Sequence, residues 1–208
     1  RQMCIRDRFT HTLSLTLDDK AQETLQNIRD QLMAAGVPVL HQPAHITVAA
    51  VSTMEDVDSR LVDVGWPERI RLTTSCRLPN SDGVVALCPH DPTSSDPVTI
   101  FDTSGEGEPE LCFAPTPVGS FRAATCLPEA LRRPHDLLHR RLAAVGVTAF
   151  NYYSPRWWNP HVTMGYQVPP KLQGRAVRIL AGVAPLEVGV AGVSVWQVGD
   201  GHTYRLCP

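Results

Sequence analysis

PAHITV (residues 43–48) and NPHVTM (residues 159–164) each place a histidine behind a proline-bearing approach and follow it with an apolar residue, a threonine and another apolar residue. Side chains alternate across a strand, so His45 and Thr47 share one face while Ile46 and Val48 share the other. His161 and Thr163 stand in the same relation to Val162 and Met164. The doubled pattern predicts two half-buried strands facing each other across a cleft and converging on one anion.

Outward from the first copy, FTHTLSLTL (9–17) alternates as a strand with Leu13, Leu15 and Leu17 on one face. Asp18 caps a helix whose apolar positions Ala21, Leu25, Ile28, Leu32 and Ala35 recur at three and four, and Gly36 stops it. Val37 to Leu40 leads into a first motif strand over Ala44 to Val51. A short helix is expected over Glu55 to Val64, then a hairpin of Ile70 to Leu78 and Val84 to Cys88 around PNSDG.

A second amphipathic helix, Leu127 to Val145, carries Leu131, Leu138, Leu142 and Val145 toward the core and ends at Gly146, with Pro134 marking its first turn or a kink. The aromatic stretch Thr148 to Pro160 delivers the chain into the second motif strand, His161 to Val168. A helix over Pro170 to Leu180 and strands near Leu186 to Val190, Val193 to Val198 and Thr203 to Leu206 close the chain. Each motif strand thus follows a helix stopped by glycine. The expected class is α+β, with short antiparallel strands and helices kept to the outer faces, and two such lobes would leave a groove between their sheets.

The 208 residues, 43% of them hydrophobic, suffice for one bilobal domain over residues 9–208. No apolar run is long enough to span a membrane. A net charge of -2 disfavours a protein that coats long nucleic acid but admits a small anion or a nucleic-acid end. The six cysteines show no CxxC spacing, which reads as reduced thiols in the cytoplasm and neither a zinc site nor a disulfide framework; Cys76 and Cys88 could meet if they lie on paired strands, which the sequence does not decide. RQMCIRDR (1–8) reads as a non-native leader. Residues 90–120, rich in Pro, Ser, Thr, Asp, Glu and Gly, read as a mobile acidic insertion. Nothing calls for an obligate protein partner, and a monomer is expected.

The doubled HxT pattern, with WNPHVTMGY around its second copy, resembles the 2H phosphoesterase superfamily and most of all its 2′-5′ RNA ligase-like branch. The resemblance runs from about Phe9 to Val198 and is weakest over residues 90–126. It implies a two-lobed fold with pseudo-two-fold symmetry, antiparallel sheets flanking a central cleft, and one HxT on the inner strand of each lobe, His45 and Thr47 in one and His161 and Thr163 in the other. It further implies a metal-independent phosphodiesterase or 2′,3′-cyclic phosphodiesterase with no cofactor, acting on a nucleotide or RNA terminus, with 2′-5′ ligation as the reverse reaction.

The residue types suit that chemistry. Opening a cyclic phosphate requires a proton to leave the nucleophile on one side of phosphorus and another to reach the leaving oxygen on the opposite side. Two imidazoles with pKa values near 6.5 can divide these tasks, one as base and one as acid. A threonine hydroxyl two residues along the strand can donate to a non-bridging oxygen. Clustered carboxylates and HExxH spacing are absent. His135 and His139, four apart on a helix, could bind a metal, but a solvated helix face is the favoured reading. In FNYYSPRWW (150–158) the rings either stack on a base or pack the core edge; Arg156, Trp158 and Lys171 are candidate substrate contacts, and Tyr166 is expected to pack. The rival reading is a nucleotide or RNA-end binding module that keeps the cleft and turns over nothing.

Overall fold

The computed structural model describes residues 9–78, 83–89, 127–198 and 202–207. The leader 1–8, most of the PNSDG turn and the acidic insertion 90–120 lie outside the described residues. Among the described residues thirteen regular elements follow in chain order, of which one is a 3₁₀ turn.

Strand β1 (His11–Leu17) leads into helix α1 (Asp19–Ala34). The Asp18 side chain accepts from the Ala21 N–H at 2.7 Å, satisfying an otherwise orphaned donor, and Gly36 ends the helix at φ 77°. Strand β2 is His45–Val51, and α2 (Ser59–Val62) is a single turn capped by Asp58, shorter than the helix expected over 55–64. The expected strand 70–78 is divided at Thr73 into β3 (Arg69–Leu72) and β4 (Thr74–Arg77), which belong to different sheets. Strand β5 (Val85–Cys88) pairs with β4, as the hairpin reading required.

Helix α3 (Glu129–Ala144) buries Leu131, Leu138 and Leu142, whereas Val145 lies beyond its end and is 41% exposed. Pro134 is inside this helix, not in its first turn. The 3₁₀ turn Asn151–Tyr153 precedes β6 (Val162–Gly165), which is shorter than the strand expected over 161–168. Helix α4 (Pro170–Ala181) is followed by β7 (Leu186–Gln197), one continuous strand where two were expected, and by β8 (Thr203–Cys207).

These strands form a five-stranded sheet, β2-β1-β7-β3 with β8 also on β7, and a three-stranded sheet, β4-β5-β6. The twelve residues of β7 are long enough to carry β1 on one edge and, on the other, β3 then β8. The main core joins both sheets through Leu13, Leu15, Ile46, Val48, Val85, Leu87, Val162 and Met164, sealed by Leu25, Leu32, Leu138 and Leu142 from the helices. Because β5 is buried on both faces, its run VALC reads as continuously apolar. Its other face supports a small cluster with Cys76, Cys88 and Trp157. Cys76 and Cys88 form a disulfide between β4 and β5, which corrects the reading of these thiols as reduced: the hairpin register sets them diagonally on one face. No helix among the described residues is long and apolar enough to cross a membrane.

The two halves exchange chain crosswise. The segment leading into β2 bridges to the far end of β6, Val39 opposite Gly165, with the Leu40 N–H donating to Met164 O at 3.3 Å. The segment leading into β6 bridges to the far end of β2, Val51 opposite Ala149, with the Phe150 N–H donating to Ala50 O at 2.7 Å. Each motif strand is therefore gripped by the approach to the other.

Candidate active site

Ile46 and Val48 are buried while His45 and Thr47 are half-exposed; Val162 and Met164 are buried while His161 and Thr163 are half-exposed. The alternation read from the two motifs is the alternation observed. His161 itself falls one residue before β6.

Both motif strands bulge at the same relative place. In the β1–β2 ladder Ser14 pairs with Thr47 and Leu13 with Ala49, so Val48 has no partner. In the β5–β6 ladder Ala86 pairs with Thr163 and Val85 with Gly165, so Met164 has none. A bulge frees a carbonyl and re-aims the neighbouring side chains. The Val48 carbonyl receives Nε2 of both His135 and His139, at 3.0 and 3.1 Å. The Met164 carbonyl takes the Leu40 N–H noted above.

His135 is therefore not on a solvated face, as its spacing suggested, but 1% exposed, stacked on the Trp158 ring with centroids 3.7 Å apart. Burial, with the neighbouring His139 adding a smaller push in the same direction, lowers its pKa to about 3, so it stays neutral. The Trp158 indole N–H donates to Thr47 O at 2.8 Å. Trp158 is a buried strut beneath the first motif and is not available to stack on a base. Burial raises the Tyr153 pKa, and the neighbouring Thr47 side chain works against that rise. Arg156 is exposed and lies over the Trp157 ring, Lys171 is exposed in the first turn of α4, and Tyr166, expected to pack, is 38% exposed.

The two catalytic candidates share one environment. Nδ1 of His45 lies 2.8 Å from Pro43 O, and Nδ1 of His161 lies 2.8 Å from Asn159 O. A carbonyl only accepts, so each ring is held as the Nδ1–H tautomer with Nε2 left for proton transfer. Burial lowers both pKa values, that of His161 to about 4, and the charge of His45 adds to the lowering at His161. The rings are thus within electrostatic reach of each other. Arg29 also pushes His45 down, a contribution invisible to motif reading because Arg29 lies on α1, far from both copies in sequence.

Beside His45 a pocket of about 100 Å³ is lined by Ser14, Thr16, Ser194, Thr203, Pro43 and Trp196 among others. The strand register explains the row of hydroxyls: Thr16 pairs with His45, Ser14 with Thr47, and Ser194 with Ser14. Paired residues project to one face, so the polar side of the sheet continues outward from the motif. Sequence reading placed Leu13, Leu15 and Leu17 on the core face of β1 but assigned no role to Ser14 and Thr16 between them. Among the described residues no three His, Cys, Asp or Glu side chains converge as metal ligands.

No protein-family model matches the chain, and no curated protein matches it in sequence. Among solved structures, a crystal structure of a phosphoesterase aligns over 95% of this chain and 94% of its own, with 12% identity and a TM-score of 0.47. The crystal structure of E. coli LigT complexed with 3′-AMP aligns over 94% of this chain and 92% of its own, with 14% identity and a TM-score of 0.45.

Proposed function

We propose that the protein is a metal-independent phosphodiesterase of the 2H type that opens 2′,3′-cyclic phosphates on nucleotides or RNA ends. The observation that carries this reading is the matched pair of imidazoles: His45 and His161 each fix Nδ1 on a backbone carbonyl two residues upstream and lie close enough for one charge to disfavour the other. One Nε2 takes the proton of the attacking water and the other delivers a proton to the departing ribose oxygen. Burial lowers both pKa values and so favours neutral rings, ready as bases. A bound phosphate favours protonation of one of them, which creates the acid only when substrate is present. Thr47 and Thr163, on the same faces, donate to the non-bridging oxygens.

The pocket beside His45 supports a sugar-bearing substrate. Its lining has hydroxyls and the apolar surfaces of Pro43, Val195 and Trp196 but no Lys, Arg, Asp or Glu, which suits an uncharged pentose ring better than a second phosphate.

The test is hydrolysis of a 2′,3′-cyclic nucleotide in the presence of EDTA. Turnover is expected in the wild type and is expected to fall by about 10²- to 10⁴-fold in each of His45→Ala and His161→Ala, with nucleotide binding retained. Binding without turnover in the wild type would make the protein a nucleotide-binding module, and loss of activity with EDTA would make it a metal hydrolase.

A further inference from the structure

Arg29 projects from α1 and is 3% exposed. Its Nη1 donates to Gln42 O at 2.6 Å and its Nη2 to Thr163 O at 3.0 Å. Gln42 stands three residues before His45, and Thr163 is the hydroxyl residue of the second motif. One planar fork thus joins the approach to the first motif with the strand of the second.

The reciprocal connection is made without an intermediary. Trp158 stands three residues before His161 and donates directly to the carbonyl of Thr47. The threonine carbonyl of each motif is therefore held by a donor anchored in the approach to the other. Arg29 does for Thr163 what Trp158 does for Thr47, with the difference that Arg29 brings a charge.

Among the described residues that charge has no carboxylate counterpart. A buried guanidinium is costly unless a carboxylate pairs with it, and an arginine does not escape the cost by losing its proton. Among the described residues Arg29 makes no ion pair; both its acceptors are neutral carbonyls, and its Nε has no hydrogen-bond partner. Its field reaches His45, whose protonated form it disfavours. An anion between the motif strands is the natural complement to such a charge.

We propose that Arg29 is a positioning residue of this site, tying the two motif strands together from behind and supplying the cleft with a positive charge that a bound phosphate neutralises. The kinetic part rests on the phosphodiesterase reading; the capture of phosphate does not.

The experiment compares wild type, Arg29→Met, Arg29→Lys and, as a control, Arg69→Met on the exposed β3–β7 pair with Glu187. Inorganic phosphate affinity is read from thermal shifts at constant ionic strength, and kcat and KM are read with 2′,3′-cyclic AMP. Methionine fills the volume without the charge, so Arg29→Met is expected to fold and to lose about tenfold in phosphate affinity, the scale of one charge acting across a partly solvated site. Its KM is expected to rise and its kcat to fall. Arg29→Lys keeps the charge but not the fork, so phosphate affinity and KM are expected to recover while kcat stays low. Arg69→Met is expected to match wild type throughout.

A folded Arg29→Met with wild-type phosphate affinity and kcat overturns the proposal. Should Arg29→Met fail to fold, Arg29→Lys decides: wild-type kcat in that variant rules out the need for the fork. If the wild type turns over no cyclic nucleotide, the phosphodiesterase reading fails, while the phosphate shifts still decide the role of the charge.

Discussion

His45 and His161 turn the same ring nitrogen to the same relative acceptor, the carbonyl oxygen two residues upstream, at the same 2.8 Å. The relation fixes the same tautomer on the two imidazoles before substrate arrives. Above pH 6.5 both are expected as Nδ1–H tautomers in ¹⁵N NMR spectra of the histidine rings. An Nε2–H tautomer at either residue would contradict the assigned roles.

The pH dependence of kcat/KM follows from the direction of the shifts. A neutral base and a protonated acid are both needed, and burial places both free-enzyme steps below 6.5, with His161 at about 4. The profile is expected to be bell-shaped and centred on the acid side of pH 6.5, because the protonated acid is lost as pH rises through the upper step. A falling limb that begins only above pH 7, with its midpoint there, would be incompatible with this environment.

Stability should depend on pH in the opposite sense to an ordinary salt-bridged histidine. His135, His139, His45 and His161 all have folded pKa values below 6.5, so the unfolded chain binds more protons as pH falls through that value. Stability is complete above 6.5 and is lost progressively toward pH 3. His135, lowered to about 3, accounts for up to about 4–5 kcal/mol of this. In urea titrations between pH 7 and 4, His135→Gln is expected to flatten the dependence while lowering stability at neutral pH; an unchanged slope would remove His135 from the account.

Trp158→Phe keeps a ring against His135 but removes the donor to Thr47 O. The expected cost is about 1–3 kcal/mol, the penalty for an unmet buried acceptor, together with a lower kcat at nearly unchanged KM, since the strand carrying Thr47 loses its strut. Equal kcat in the variant and the wild type would show that the strut serves stability alone.

Gly165 closes the β6 bulge where the approach to the first motif crosses. A Cβ there would meet Val85 Cγ2 at 2.6 Å, Val168 Cγ2 at 2.8 Å and Pro38 O at 3.0 Å. Gly165→Ala is expected to destabilise by about 1–3 kcal/mol, as overpacking does, measured by chemical denaturation. A neutral effect would mean that the crossing is looser than its contacts indicate.

Much of the fold was legible because periodicity is a local property. Asp18 and Gly36 bound α1, the alternation of Leu13, Leu15 and Leu17 gave β1, and the HxT strings put two histidines and two threonines on the half-exposed faces where they are found. Errors arose where pairing overrode pattern. The run from Ile70 to Leu78 is uniformly strand-like, yet it divides at Thr73 because its halves join different sheets. Leu186 to Gln197 reads as two strands around Gly192 but stays continuous because β1 supports it through that point.

His135, Trp158 and Arg29 were misread or passed over for one reason. Sequence spacing describes a residue's own helix or strand, whereas these side chains are defined by the carbonyls of Val48, Thr47 and Thr163 on strands distant in the chain. The sequence by itself determined that two strands would each present a histidine and a threonine on one face, since that follows from alternation along a single strand. Only the tertiary structure decided that the strands would bulge alike, lock through each other's approaches and enclose an arginine that makes no ion pair among the described residues. Those outcomes depend on carbonyls freed by register and on donors arriving from far along the chain, which no local pattern encodes.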